Sequence, residues 1–335
     1  MSILLTIFLF GVGVFLLIKG ADWLVEGASS MAKELNVSDL VIGLTIVAFG
    51  TSAPELIVNI LASVKGSSDI AIGNILGSNI SNTFLILGIT ALITPLAIQR
   101  STVIKEIPFS LLAAGMLYIM ANDALIDGYA FSELSKGDGI VFLGFFAIFL
   151  YYTFGIRKSD VLLNEPRTKA DMPLRKALWL VLVGLMGLSL GGKLCVDTAQ
   201  EIALSLGVSE ALVGLTAVAI GTSLPELTAS LVAALKKKPD ISVGNIVGSN
   251  IFNIFWILGI SAIIKPLPFR PDLNVDLLTV LLSATLLFFI VHNGSVHHRL
   301  FLWWRQKKDY VLHRWEGGVL LSCYVLYIAF VAWRG

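Results

Sequence analysis

Long apolar runs separated by short polar connections recur along the whole chain. A helix that crosses a bilayer needs about 20 mainly apolar residues, and ten runs with few or no charges approach or reach that length. Because such runs are typical of membrane-spanning helices, the pattern predicts ten of them. The runs are 3–18, 40–63, 70–93, 107–121, 139–155, 177–190, 211–235, 241–264, 277–291 and 317–333.

The basic residues between these runs predict which side of the membrane each connection faces. With the N-terminus outside, 18 of the 24 lysines and arginines fall in inward-facing loops and six in outward-facing ones. Short cytoplasmic loops carry the excess of basic residues in membrane proteins. The distribution therefore predicts that both termini lie outside.

Composition supports an integral membrane protein and excludes an ordinary soluble one. Of the 335 residues, 56% are hydrophobic and 14% charged, and the mean hydropathy is +0.85, whereas soluble globular chains are about a quarter charged. The formal net charge is +1, which provides no basic surface for nucleic acid. The expected surroundings are a lipid bilayer, with no nucleic acid and no obligatory protein partner.

An internal repeat organises the chain. Residues 37–96 align without a gap on residues 208–267, at a constant offset of 171, and 34 of the 60 aligned positions are identical. Each half holds five predicted spans, an odd number, so the second half enters the membrane from the opposite side and the repeats are inverted. We predict a first five-helix repeat over 1–156, a cytoplasmic linker over 157–173 and a second five-helix repeat over 174–335. Secondary transporters are built on this plan.

Two matched motifs carry carboxylates into the apolar runs. GTSAPEL at 50–56 pairs with GTSLPEL at 221–227, and each contains one glutamate, Glu55 or Glu226. A charge at the centre of a membrane costs about 2.5–3.5 kcal/mol on insertion scales, and neither run contains a lysine or arginine. A protonated glutamate is one answer, but a bound metal ion is the better partner for each carboxylate.

Residues at helical spacing supply further oxygen atoms around these glutamates. Positions three and four apart share one face of a helix. The resulting faces are Ala48, Thr51 and Glu55, matched by Ala219, Thr222 and Glu226, and Asn74, Ser78 and Asn82, matched by Asn245, Ser249 and Asn253. Pro54 and Pro225 lack an N–H, and the kink at each is expected to expose nearby carbonyls, including those of Ala48 and Ala219.

This donor set indicates a particular kind of ion. Carboxylate, hydroxyl, amide and carbonyl oxygens, without histidine or thiolate, suit hard cations such as calcium and sodium. Ser78, Asn82, Ser249 and Asn253 are interpreted as ligands, whereas the glycines of the same GSNI motif favour close helix packing. No Ser/His/Asp, Cys/His or zinc-helix arrangement occurs in the sequence, so we expect no enzyme activity and no cofactor.

At these motifs the chain resembles the sodium/calcium exchanger family of the cation/calcium antiporters, and in particular its compact prokaryotic members. The signatures GTSxPE and GNxxGSNIxN are each present twice. The resemblance implies a ten-helix fold in a prokaryotic inner or plasma membrane, with calcium and sodium as the transported ions. It also implies one calcium ion between Glu55 and Glu226, helped by carbonyls of Thr51 and Thr222, with Asn82 and Asn253 completing the central site.

The resemblance further implies sodium sites on either side of the calcium. Their ligands are Ala48, Thr51, Ser52 and Ser78, with the counterparts Ala219, Thr222, Ser223 and Ser249. Some relatives carry aspartate where this chain has Asn253, so only two acidic groups remain in the cluster, which argues against potassium co-transport. Exchange of three sodium ions for one calcium ion, as the family implies, would move about one net charge per cycle.

Alternating access is expected to come from the first and sixth spans sliding across the others. These spans carry Gly11, Gly13, Gly184 and Gly187 and lack coordinating groups. The strongest rival function is a calcium/proton antiporter in which the same glutamates cycle protons, although protons need no cage of oxygen atoms. A cation channel would not need an inverted repeat, and a scaffold protein would not bear the cost of two buried glutamates.

Overall fold

A computed structural model describes residues 3–155, 170–205, 221–292 and 310–334. Most of the predicted linker, residues 157–169, therefore lies outside the described residues. The same holds for the first part of the predicted span 211–235, which is described from Gly221 onward.

Helices dominate the described chain because backbone N–H and C=O groups in a bilayer must be satisfied within their own segment. The first half contains α1 (Ile3–Leu35), α2 (Asp39–Ile42), α3 (Ala48–Thr51), α4 (Ala53–Lys65), α5 (Ser68–Ile80), α6 (Leu87–Ile93), α7 (Ile107–Met120), α8 (Asp123–Ile126) and α9 (Lys136–Gly155). The second half contains α10 (Leu174–Ser205), α11 (Leu224–Leu235), α12 (Pro239–Ile251), α13 (Gly259–Ile264), α14 (Asn274–His292) and α15 (Arg314–Arg334).

Wider π-helical turns and one 3-10 turn continue several of these helices. The π turns are Gly43–Val47, Ser81–Ile86, Thr102–Glu106 and Phe252–Leu258, and the 3-10 turn is Pro271–Leu273. Two of the π turns begin at positions 171 residues apart, Ser81 and Phe252, and follow the repeated GSNI motif. Single π turns inside α-helices are frequent at functional sites.

Eight helices of the described chain are long and apolar enough to cross a membrane, and one bent pair makes a ninth. The bent pair is Asp39–Thr51 with Ala53–Lys65. Within the seventh predicted run, 211–235, the described part contains the 12-residue apolar helix α11. The protein is thus a helical, multi-pass membrane protein, while the count of ten, the inverted relation of the repeats and the outside termini stay predictions.

The structure departs from the predicted elements in two ways. Helix α1 continues to Leu35 and α10 to Ser205, well past the apolar runs, because hydropathy marks only the membrane-embedded part of a longer helix. The all-α prediction also missed four three-residue strands. These form two antiparallel pairs, β1 (Leu96–Ile98) with β4 (Tyr310–Leu312) and β2 (Ser132–Leu134) with β3 (Leu267–Phe269), and each is too short for an alternating pattern.

Two compact units make up the chain, and each draws on both halves of the sequence. Unit 1 comprises Met1–Pro54 and Phe154–Asn245, and unit 2 comprises Glu55–Thr153 and Ile246–Gly335. The predicted repeats divide the chain differently, at 156 and 174, because they are defined by sequence similarity. Those boundaries remain a prediction.

Unit 1 is built on the pair of long helices α1 and α10. A Cβ atom at Gly20 would lie 2.8 Å from the carbonyl oxygen of Gly184, and one at Gly191 would lie 2.8 Å from that of Gly13. Contacts this short leave no space for a side chain, so glycine lets the two backbones touch. Buried residues such as Leu24 and Leu188 fill the core beside this contact.

Unit 2 has an aromatic core beside its polar residues. The ring of Phe255 lies 5.4 Å from that of Phe145, 5.6 Å from Phe109 and 5.8 Å from Phe142, measured between centroids. Phe255 belongs to the π turn that follows α12. Packing of large aromatic rings therefore fixes the position of this turn.

Candidate cation-binding site

The first repeated motif interrupts a helix at Ser52, and in the second a helix begins directly after Ser223. Ser52 has φ −82° and ψ 7°, and Ser223 has φ −86° and ψ −2°. At Ser52 the chain bends by 47° between α3 and α4. Because Pro54 has no N–H, it cannot bond the carbonyl of Gly50, and the predicted kink at this motif is confirmed.

The carbonyl of Ala48 lies at the kink and accepts hydrogen bonds from its own motif, and its role as a ligand stays a prediction. That oxygen accepts the Ser52 N–H at 3.0 Å and the Thr51 hydroxyl at 3.3 Å. A carbonyl has two lone pairs, and the single hydroxyl hydrogen of Thr51 is shared with Asn245, so this oxygen retains acceptor capacity. The matching residue, Ala219, lies outside the described part of the chain.

The two glutamates lie in equivalent local positions. Glu55 is in the first turn of α4, and Glu226 is in the first turn of α11. Each is 1% exposed. The positive end of a helix dipole stabilises a carboxylate in the first turn, so the breaks at the serines place both carboxylates at helix N-termini.

Unit 1 holds a polar cluster around Glu226. The hydroxyl of Ser52 donates to Oε1 of Glu226 at 3.2 Å, which joins the serine of one motif to the carboxylate of the other. The amide of Asn245 donates to the backbone carbonyl of Glu226 at 3.4 Å and to the Ser230 hydroxyl at 2.9 Å. The carboxylate therefore sits on a scaffold of buried side-chain hydrogen bonds.

The Thr51 side chain belongs to that scaffold. Its single hydroxyl hydrogen is shared between Oδ1 of Asn245 at 3.0 Å and the more distant carbonyl of Ala48. Asn245 itself is fully buried, and its oxygen and its amide are both engaged. Thr51 and Asn245 thus position their neighbours in this structure.

Unit 2 contains a second polar cluster on α4 and α5. Asn59 donates to the carbonyl of Ala71 at 3.0 Å, and Asn74 donates to Oδ1 of Asn59 at 2.7 Å. Glu55 begins the same helix as Asn59, one turn before it. Ser78, the predicted ligand on α5, is buried.

Four asparagines of unit 2 pair across the repeat. Asn82 donates to Oδ1 of Asn250 at 3.1 Å, and Asn253 donates to Oδ1 of Asn79 at 2.9 Å. All four side chains are buried. The pairing is crossed, because residues 82 and 253 are equivalent in the repeat, and so are residues 79 and 250.

Several predicted ligands have buried oxygen atoms that accept no hydrogen bond from any residue the structure describes. They are Oδ1 of Asn82 and Asn253 and the hydroxyls of Ser223 and Ser249. Buried polar atoms in proteins are nearly always satisfied by a partner. Buried oxygen atoms in this state are suited to a desolvated cation, and two of them, those of Asn82 and Asn253, stand at equivalent positions of the repeat.

The structure distributes the twelve predicted ligands between the two units. Unit 1 contains Ala48, Thr51, Ser52, Thr222, Ser223 and Glu226, together with Ala219 outside the described residues, and unit 2 contains Glu55, Ser78, Asn82, Ser249 and Asn253. Of the described members, Thr222 is half-buried and the others are buried.

Two members of the asparagine set, Asn79 and Asn250, were not predicted as site residues from the sequence. Asn79 and Asn250 fall off the stripe of residues four apart that a regular α-helix predicts. They lie three residues before Asn82 and Asn253, so the spacing of three that also shares a helix face could have found them. Their recurrence at an offset of 171 was a further signal.

Helices that cross a bilayer, interrupted at repeated motifs and lined with buried carboxylate, amide and hydroxyl oxygens, are typical of secondary transporters of small ions. The sodium/calcium exchanger protein family matches residues 5–155 and 176–333. The chain belongs to this family.

Individual relatives match over most of their length. CaxA from Alkalimonas amylolytica is 44% identical over 262 residues, covering 76% of this chain and 79% of that protein. The sodium/calcium exchanger MaX1 from Methanosarcina acetivorans is 31% identical over 347 residues, covering 94% and 95%. A solved structure of the sodium-calcium exchanger NCX_Mj aligns with a TM-score of 0.80 at 32% identity, covering 98% of this chain and 99% of that one.

These similarities confirm the predicted family, its compact prokaryotic form and a multi-pass location in a prokaryotic membrane. The protein is a cation/calcium antiporter. Its relatives are transporters rather than enzymes.

Proposed function

We propose that this protein exchanges sodium for calcium across the membrane by alternating access, with movement of net charge in each cycle. The observation that carries the proposal is the set of buried oxygen atoms of Asn82, Asn253, Ser223 and Ser249, which accept no hydrogen bond within the described chain. Asn82 and Asn253 stand at equivalent positions of the two repeats.

The donor chemistry supports sodium and calcium over other ions. Calcium accepts six to eight oxygen ligands in flexible geometry. Glu55 and Glu226 supply the negative charge for a divalent cation, and neutral amides and hydroxyls supply the remaining oxygens. The full proposed ligand set is Ala48, Thr51, Ser52, Glu55, Ser78, Asn82, Ala219, Thr222, Ser223, Glu226, Ser249 and Asn253.

The same chemistry bears on the rival proton coupling. Amide oxygens can ligate calcium in either carrier, but they are not protonated at ordinary pH, so in a calcium/proton antiporter only Glu55 and Glu226 would carry protons. The further neutral oxygens favour sodium, because a sodium ion needs oxygen ligands and a proton does not. Ten spans in two inverted five-helix repeats, with both termini outside, complete the proposal.

Uptake of radioactive calcium tests this function. Proteoliposomes loaded with sodium and diluted into sodium-free medium should take up calcium, and Glu226→Gln should reduce uptake to background because it removes a ligand charge. Glu106→Gln is the matched control, since Glu106 is equally buried and lies outside the proposed ligand set; it should transport normally.

Two other results would contradict the proposed function. Calcium uptake that ignores internal sodium but follows a pH gradient would replace sodium exchange with proton exchange. Normal sodium-driven uptake in Glu226→Gln would remove Glu226 from the proposed site.

A further inference from the structure

The crossed hydrogen bonds in unit 2 determine the orientation of two asparagine side chains, because each turns its NH2 group toward its partner. Because Asn253 donates its NH2 group to Asn79 at 2.9 Å, its Oδ1 must point away from Asn79. Asn82 is held in the same way by Asn250 at 3.1 Å. The two oxygens thereby left over are those that accept no hydrogen bond among the described residues.

The accepting asparagines are themselves held by other groups. Asn79 donates to the backbone carbonyl of Asn250 at 3.4 Å, and Asn250 donates to the hydroxyl of Thr83 at 3.0 Å. An asparagine has one acceptor oxygen and one donor nitrogen. Once its nitrogen is engaged in this way, its oxygen is presented to the neighbouring amide.

Orientation matters because the two ends of an amide have opposite effects on a cation. The oxygen is a ligand, whereas the NH2 group carries positive partial charge and repels a metal ion. A reversed Asn82 or Asn253 would keep its size and polarity but lose its function as a ligand. Residues that form hydrogen bonds to metal ligands commonly control the affinity for the metal by orienting those ligands.

We propose that Asn79 and Asn250 are positioning residues that hold the oxygens of Asn253 and Asn82, respectively, toward the transported cation and so set calcium affinity. This proposal rests on the proposed function, in which Asn82 and Asn253 are ligands. Asn79 and Asn250 do not themselves coordinate the ion.

Aspartate substitution provides the decisive test. A carboxylate has two equivalent acceptor oxygens, so Asn253→Asp presents an oxygen whichever way the side chain turns, and it no longer needs Asn79. Asn79→Leu in the otherwise native protein should weaken calcium binding about 10–100-fold, the usual effect of losing a partner of a metal ligand. In the Asn253→Asp background the same change should cost less than about threefold.

The crossed pattern separates positioning from general damage. Asn253→Asp should relieve Asn79→Leu but not Asn250→Leu, and Asn82→Asp should relieve Asn250→Leu but not Asn79→Leu. A purely structural role predicts no such selectivity. Asn79→Asp, which retains an acceptor for the Asn253 amide, should bind calcium better than Asn79→Leu.

Calcium affinity is measured by isothermal titration on full-length protein in detergent, with thermal unfolding as a check on folding. Sodium-driven uptake by the unsubstituted protein is measured separately in proteoliposomes. Calcium binding without sodium-driven uptake would overturn the proposed exchange while leaving the positioning role intact. Unchanged affinity in Asn79→Leu, or relief by either aspartate without regard to pairing, would overturn the positioning role.

Discussion

The long helices of unit 1 and the polar centre of unit 2 use opposite means of holding helices together. Helices α1 and α10 meet backbone to backbone, with glycines at Gly13, Gly20, Gly184 and Gly191. The segments that carry the asparagines of unit 2 meet through directed side-chain hydrogen bonds. Both means are known in membranes, where packing of small residues and interhelical polar bonds replace the hydrophobic effect.

This difference separates contacts set by close packing from contacts set by hydrogen-bond direction. Backbone contact at glycines leaves no space for a side chain, so it joins α1 and α10 tightly in one register. An amide pair instead depends on the orientation of two side chains. The expectation that the first and sixth spans slide across the others requires the two to move as one body, and this close contact is suited to that.

The largest effect is expected from filling the glycine contact. Gly184→Leu places a Cβ 2.6 Å from the backbone nitrogen of Leu24 and 2.7 Å from the carbonyl of Gly20, and neither backbone can yield cheaply. We expect a loss of about 3 kcal/mol or more of stability and no transport, measured by thermal unfolding in detergent and by calcium uptake.

A matched control lies on the same helix pair. Gly11 is exposed, and a Cβ there meets no described atom within 4 Å, so Gly11→Leu should unfold and transport like the native protein. If Gly184→Leu behaved no worse than Gly11→Leu, close contact between α1 and α10 would not be required.

An intermediate effect is expected from the hydrogen bonds of unit 2. Asn59→Ala leaves the amide of Asn74 and the carbonyl of Ala71 without their partner. Each interhelical hydrogen bond in a membrane contributes about 0.6–1.7 kcal/mol, so the unfolding temperature should fall, but less than in Gly184→Leu.

The repeat supplies the comparison for this variant. Ser230 stands at the position equivalent to Asn59 and accepts a bond from Asn245, so Asn59→Ser tests whether the smaller residue suffices in unit 2. We expect partial loss, measured by the same unfolding assay. Full stability in Asn59→Ala would mean that this amide pair does not hold unit 2 together.

The smallest effect is expected at the exposed edge of unit 2. The guanidinium of Arg270 lies 2.9 Å from the carboxylate of Asp272 and 3.2 Å from that of Asp69. The hydrogen bond to Asp272 contributes most, followed by that to Asp69, to raising the pKa of Arg270 above its ordinary value. The guanidinium therefore stays charged below its raised pKa, and its contribution is lost only at still higher pH.

Substituting this arginine should change little. Arg270→Gln should lower the unfolding temperature only slightly, by an amount that is the same from about pH 6 to 9 and disappears in high salt. A large drop, or one that persists in molar salt, would assign this surface network a structural importance that exposed ion pairs rarely have.

The repeated motifs were the most predictable part of the site. Pro54 predicted the break at Ser52, and the depth of Glu55 and Glu226 in apolar runs predicted their burial, because local chemistry decides both. The engaged carbonyl of Ala48 could not be predicted, since its partners depend on the geometry of the kink. The strand β1 was equally hidden, because its partner β4 lies more than 200 residues away.

The sequence by itself determined that this chain crosses a membrane many times, that it contains a repeat, and that carboxylates and amides enter the apolar spans. Hydropathy and repetition are properties of the linear chain, and the cost of a charge in a bilayer holds whatever the fold. Only the tertiary structure decided which amide meets which. Asn82 faces Asn250 and Asn253 faces Asn79 because packing brings together residues that are 168 and 174 positions apart, and residue spacing alone does not predict that contact.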